Sequence, residues 1–185
     1  MTHLNAVLLI LAIISAIAAA VGLVILSWYR RTTGFSPTLY SGAVVVASDT
    51  GAAPTYVLRD PLLGLCGKPD YLLEETIDGS RQLIPLEIKP TRGGRSVFDS
   101  DAVQLGAYLL LLRSLHESRA ASFGYVRYAT GTFRVDLTHQ LEMRVREIVG
   151  AIRAGRQAAD IHRSHNIPAR CENCSVRAHC NEALV

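Results

Sequence analysis

Gly67-Lys68-Pro69-Asp70-Tyr71-Leu72-Leu73-Glu74-Glu75-Thr76-Ile77, then Asp78-Gly79, then Gln82-Leu83-Ile84-Pro85-Leu86-Glu87-Ile88-Lys89 is the stretch that decides the fold. Two β-prone runs flank an Asp-Gly pair, the strongest short signal for a tight hairpin. Folding back at Asp78-Gly79 brings Asp70 beside Glu87–Lys89. The strand period of two puts Glu87 and Lys89 on one face and turns Ile88 into the core. Two carboxylates and a lysine then meet at one end of a small sheet. Pro85 cannot donate to a ladder, so an edge position or a bulge is expected there.

That trio suits metal-dependent cleavage of a phosphodiester. Carboxylates hold Mg²⁺ or Mn²⁺, hard ions that prefer oxygen ligands. The metal lowers the pKa of a bound water and polarises the phosphate. A lysine beside it can orient that water and offset developing charge. An ordinary hairpin with solvated charges also carries Glu-x-Lys. Pro-Asp, a hairpin of suitable length and then Glu-x-Lys is a better signal.

Downstream, Asp99 or Ser100 can cap a helix running to about Leu115. On it Gln104 and Tyr108 are four apart and share a face. Near the carboxy terminus, Cys171, Cys174 and Cys180 form a C-x2-C-x5-C tail after Pro168.

Pro69-Asp70…Glu87-Ile88-Lys89 resembles the signature of PD-(D/E)XK nucleases. Gln104-Leu-Gly-Ala-Tyr108 resembles the Gln-xxx-Tyr motif of their RecB-like branch. The cysteine tail is similar to that of the CRISPR-associated Cas-four-type and AddB-type exonucleases. The resemblance spans roughly residues 40–185. It implies an α/β, restriction-endonuclease-like core, a mixed sheet flanked by helices. Asp70 and Glu87 would hold Mg²⁺ or Mn²⁺, with the Ile88 carbonyl a further ligand. Lys89 would act on the attacking water, and Gln104 and Tyr108 would support the site. The implied substrate is DNA, single-stranded or at its ends.

If disulfides are disfavoured, close cysteine spacing points to metal. Spacing alone does not separate an iron–sulfur cluster from Zn²⁺; the resemblance favours [4Fe-4S]. The fourth cysteine, Cys66, departs from the family pattern. It is either a relocated fourth ligand or a small buried residue. His165 and His179 are weaker candidates. A second departure lies upstream. RecB-like nucleases carry a metal-binding histidine or acid on an early helix. Between the apolar segment and Cys66 there is no histidine, and Asp49 and Asp60 stand in no recognisable helix.

The chain has 185 residues and net charge +3, enough for one domain with a real core. Residues 1–29 contain no Asp, Glu, Lys or Arg. Residues 4–29 read as a transmembrane helix, long enough to cross the roughly 30 Å hydrocarbon core. Trp28 and Tyr29 would sit at the interface and Arg30-Arg31 inside. The amino terminus would then be outside and the catalytic domain cytoplasmic. A cleaved signal peptide is the competing reading, but no positive charge precedes the apolar run. Residues 30–42 read as a linker, and 43–185 as the nuclease domain with its cysteine cluster.

Further strands are expected at 43–47 and 56–59, and a second hairpin at 122–128 and 132–137. Thr138 is placed to cap a last helix over roughly 139–163. Leu141, Val145, Ile148 and Ile152 form its core stripe, with arginines on its other faces. Thr91–Ser96 reads as a basic loop that could meet phosphates through Arg92 and Arg95. Two alternatives stand beside the nuclease reading. One is a nucleic-acid-binding module of the same fold without turnover. The other is a membrane-tethered metal protein whose working part is the cysteine tail.

Overall fold

A computed structural model describes residues 15, 17–23, 43–49 and 53–184. Its centre is a five-stranded mixed sheet in the order β1-β4-β5-β6-β7. The strands are β1 (Val44–Ser48), β4 (Tyr71–Ile77), β5 (Ser80–Lys89), β6 (Phe123–Tyr128) and β7 (Gly131–Asp136). A separate antiparallel pair joins β2 (Leu58–Asp60) to β3 (Leu65–Gly67).

The β4–β5 hairpin forms as the sequence predicts. Ile77 pairs with Ser80 across a two-residue turn. Asp78 has φ 49° and Gly79 φ 76°. Positive φ at both positions is what a type I′ turn demands, and Asp-Gly tolerates it. At the far end Tyr71 faces Leu86, so Asp70 and Glu87 follow as the next opposed residues.

Helix α1 (Asp99–Leu115) crosses from β5 to β6, which are parallel. It lies over one sheet face. Leu105, Tyr108 and Leu109 pack with Val126 and Tyr128, and Leu111 and Leu112 pack with Leu72 and Leu83. The opposite face carries a second apolar cluster of Tyr71, Leu73, Ile84, Leu86 and Phe123. Helix α2 (His139–Gln157) starts with Leu141 N–H bonded to Thr138 Oγ1 at 3.2 Å, the expected cap. Its Leu141 and Val145 approach Gly106 of α1 so closely that a Cβ there would meet them at 3.0 Å. A mixed sheet flanked by helices in this way fits a restriction-endonuclease-like core.

Pro85 lies neither at an edge nor in a bulge. It sits in the central strand, paired in register with Leu72. Ile88 N–H points towards β4, where it meets Asp70. By alternation the position of Pro85 turns towards β6, and there Gly124 makes room. A Cβ on Gly124 would meet the Pro85 oxygen at 2.8 Å and its ring at 3.0 Å. The glycine on the neighbouring strand accommodates the proline. Helix α1 is likewise not capped by Asp99 or Ser100. Phe98 holds the cap position without a side-chain bond, and its carbonyl accepts from Asp101 and Ala102.

The chain divides into two compact units at Val145 and Arg146. In the second, α2 ends at Gln157 rather than near 163, and Ile152 of the expected core stripe is 51% exposed. A short helix α3 (Pro168–Glu172) follows and carries Cys171. Glu182 accepts bonds from the Arg163 backbone and pairs with His162, which ties the tail back on itself.

The membrane assignment is corrected. Among the described residues no helix is long and apolar enough to cross a membrane. Crossing takes about 20 consecutive apolar residues in one helix, and only residues 17–23 are described as a continuous helical run in that region. Apart from residue 15, the remainder of 4–29, and the linker 30–42, lie outside the described residues. The expected single-pass topology, with a cytoplasmic catalytic domain, is therefore withdrawn.

Candidate active site

The Asp70 end of β4, the Lys89 end of β5 and the first half of α1 meet at one corner of the sheet. Asp70 Oδ2 accepts the Ile88 N–H at 2.7 Å. Lys89 Nζ donates to Glu87 Oε1 at 2.7 Å, so the two share a face as the strand period requires. Ile88 turns the other way, into the apolar cluster beneath the sheet. Its carbonyl leaves the strand on the same side as its N–H, towards Asp70.

Helix α1 supplies the third wall. Gln104 Nε2 donates both to Glu87 Oε1 and to the Tyr108 hydroxyl, each at 2.8 Å. The Tyr108 hydroxyl in turn donates to the Lys68 carbonyl at 3.2 Å. This chain of bonds links the helix to both motif strands. It depends on Gly67, where a Cβ would lie 2.6 Å from the Tyr108 ring. The sequence-predicted residues Asp70, Glu87, Ile88, Lys89, Gln104 and Tyr108 are thus brought together.

Glu87 is 5% exposed. Its Oε1 accepts two bonds, but its Oε2 is buried and has no hydrogen-bond partner among the described residues. A buried carboxylate oxygen left this way costs free energy unless a donor or cation meets it. Burial raises the Glu87 carboxyl above its ordinary range; the Lys89 ammonium opposes this and the Asp70 charge adds to it. Burial also raises Asp70, against the Ile88 N–H and the Lys89 charge. Burial pushes the Tyr108 hydroxyl up to about 12, so it stays a donor at neutral pH. Buried Glu87 and half-buried Asp70, both with raised pKa values, are the two carboxylates of this corner that could hold a hard divalent cation.

The sequence profile of the PD-(D/E)XK nuclease superfamily matches residues 9–181. The chain belongs to that superfamily. The matched range begins inside the apolar stretch first read as a membrane span. PD-(D/E)XK membership makes this a nuclease domain, and such nucleases commonly use Mg²⁺ or Mn²⁺. No curated protein matches the chain. Among solved structures, one titled "Crystal structure of SSO0001" is similar at 18% identity and TM-score 0.43, covering 92% of this chain and 72% of that one.

The cysteines do not form the expected cage. Among the described residues no group of three or more His, Cys, Asp or Glu side chains is arranged to hold a metal ion. All four cysteines are free thiols; Cys171 is buried, Cys174 exposed and Cys180 half-buried. Cys66 is exposed at the middle of β3, opposite Arg59, and is not the buried residue considered above. The residues as placed do not fit a [4Fe-4S] cluster or Zn²⁺.

Of the basic loop, Arg92 is committed elsewhere. Its Nη1 bonds both oxygens of buried Asp101 at 2.8 and 2.7 Å. Tyr128 joins the same carboxylate at 2.7 Å. Of the two upstream acids, Asp60 is structural: it accepts the Leu62 and Leu63 N–H groups and Ser114 Oγ. Asp49 instead lies at the site, its N–H bonded to the Asp70 carbonyl at 3.0 Å and its carboxylate paired with Lys68. In sequence Asp49 stands in no recognisable helix; it is the non-local pairing of β1 with β4, Ser48 against Tyr71, that delivers it here, and that pairing leaves no short-range signal.

Proposed function

We propose that the chain hydrolyses DNA phosphodiesters with Mg²⁺ or Mn²⁺ held by Asp70, Glu87 and the Ile88 carbonyl. The observation that carries this reading is the buried Oε2 of Glu87, without a hydrogen-bond partner among the described residues, one position beyond the Tyr71–Leu86 pair and so beside Asp70. When bound, the ion polarises the phosphate and lowers the pKa of a coordinated water.

The protein's own groups do the rest. Lys89, held at Glu87 Oε1, orients the attacking water and offsets negative charge developing on the phosphate. Gln104 fixes the Glu87 side chain by donating to the oxygen that also receives Lys89. Tyr108 keeps its proton and anchors α1 to the Lys68 carbonyl. A cluster on the tail thiols forms no part of this reading.

Cleavage of a labelled single-stranded oligonucleotide in Mn²⁺ tests it. Wild-type protein is expected to digest the strand, while Lys89→Ala and Glu87→Gln, purified in parallel, leave it intact. Equal digestion by all three would point to a contaminant and remove the nuclease reading. A circular single strand added beside the linear one reports the mode: digestion of the linear strand alone identifies an exonuclease.

A further inference from the structure

Lys68 and Asp49 extend the site sideways across the sheet. Asp49 follows β1, Lys68 and Asp70 precede β4, and Glu87 and Lys89 end β5. These three strands are neighbours, so the five charged side chains line one end of the sheet. Adjacent strands lie about 4.8 Å apart. The Asp49 strand is therefore about 10 Å from the Glu87 strand, with Lys68 between them.

The cations of this corner are held very differently. Lys89 is 26% exposed and bonded to a buried carboxylate. Arg92 is locked to Asp101, whose side chain is 3% exposed. Lys68 pairs with Asp49, and both side chains are open to solvent, at 41% and 37%. An ion pair so exposed is worth only about 0–1 kcal/mol. It can be exchanged for another anion at little cost. The Lys68 backbone, by contrast, is fixed, because its carbonyl receives the Tyr108 hydroxyl. A solvent-exposed ammonium thus stands on an anchored backbone beside Asp70.

We propose that Lys68 is a subsite for a backbone phosphate of the substrate strand, next to the phosphate at Asp70 and Glu87, and that Asp49 holds the lysine until that phosphate displaces it. This rests on the nuclease reading for its substrate class. It assigns Lys68 to binding rather than to the chemical step. It also gives Asp49 an opposing role: the carboxylate competes with the substrate for the same ammonium.

The two residues therefore have effects of opposite sign. The test is the affinity of the full chain for a fluorescein-labelled single-stranded oligodeoxynucleotide of about 20 nucleotides, measured by anisotropy in Ca²⁺ over a range of KCl. Lys68→Ala should weaken binding about tenfold, the loss of one charge-assisted contact. It should also reduce the slope of log affinity against log salt by about 0.7, one phosphate contact on a single strand. Lys68→Arg should keep both. Asp49→Asn should tighten binding several-fold with the slope retained. An unchanged slope in Lys68→Ala overturns the proposal, as does weaker binding in Asp49→Asn. The two readings separate cleanly. A wild-type chain that binds with a lysine-dependent slope yet never cuts keeps the subsite and sinks the hydrolytic reading. Cutting with a slope indifferent to Lys68 does the reverse.

Discussion

Glu87 holds one buried carboxylate oxygen that meets no hydrogen-bond donor among the described residues. Burial raises the pKa of this carboxyl. A carboxyl with a folded pKa above its ordinary 4.5 binds more protons folded than unfolded, so its contribution to stability falls as pH rises through that window. Glu87→Gln removes the effect. In the metal-free chain the variant's melting temperature should therefore gain on the wild type as pH climbs from about 4 towards neutrality. Cleavage should meanwhile drop at least about a hundredfold. Parallel thermal melts across pH and one activity assay check both; a variant that loses ground with rising pH contradicts the assignment. Most of this corner was legible in the sequence. The strand period placed Glu87 with Lys89, and Asp-Gly set the register that opposes Asp70 to Glu87. What was not legible depended on tertiary partners: Arg92 spent on Asp101, and Asp49 delivered by the pairing of β1 with β4.

At the scale of elements, two glycines govern how the pieces fit. Gly67 lets the Tyr108 ring lie against the chain entering β4. Gly67→Ala should displace that ring and, through Gln104, loosen Glu87. Activity should fall about tenfold or more, because the supporting hydrogen bonds of the site are lost. Gly124 serves the proline in β5. Gly124→Ala would drive a methyl group into backbone, at about 1–3 kcal/mol. For a chain of this size that lowers the melting temperature by about 2–4 °C per kcal/mol. Calorimetry on both variants, with activity measured beside it, should show Gly67→Ala costing mainly rate and Gly124→Ala mainly stability. The hairpins, α1 and the Thr138 cap followed from turn chemistry, spacing and capping. The placing of Pro85 failed because its accommodation is written in a different strand, at Gly124, nearly forty residues downstream.

At the scale of the whole molecule, the fold holds two carboxyl groups with raised pKa values close together on neighbouring strands. Binding of an ion only to the folded state stabilises it, by about 2.7 kcal/mol at a hundredfold excess over Kd. Mg²⁺ should thus raise the melting temperature at pH 7.5. The gain should shrink at pH 5, where the raised carboxyls are more protonated and compete with the ion. The broad α/β class and superfamily were readable from ordered motifs, which are local. The membrane reading rests on an uncharged apolar run, the Trp28-Tyr29 pair and Arg30-Arg31, and among the described residues no helix supports it.

The most direct measurement is a Mn²⁺ titration of the purified chain, followed by calorimetry or by loss of the free-ion resonance signal. Wild-type protein should bind the ion saturably, and Asp70→Asn and Glu87→Gln, each still folded, should lose that binding. Equal Mn²⁺ binding by the wild type and both variants would contradict a shared ion between Asp70 and Glu87.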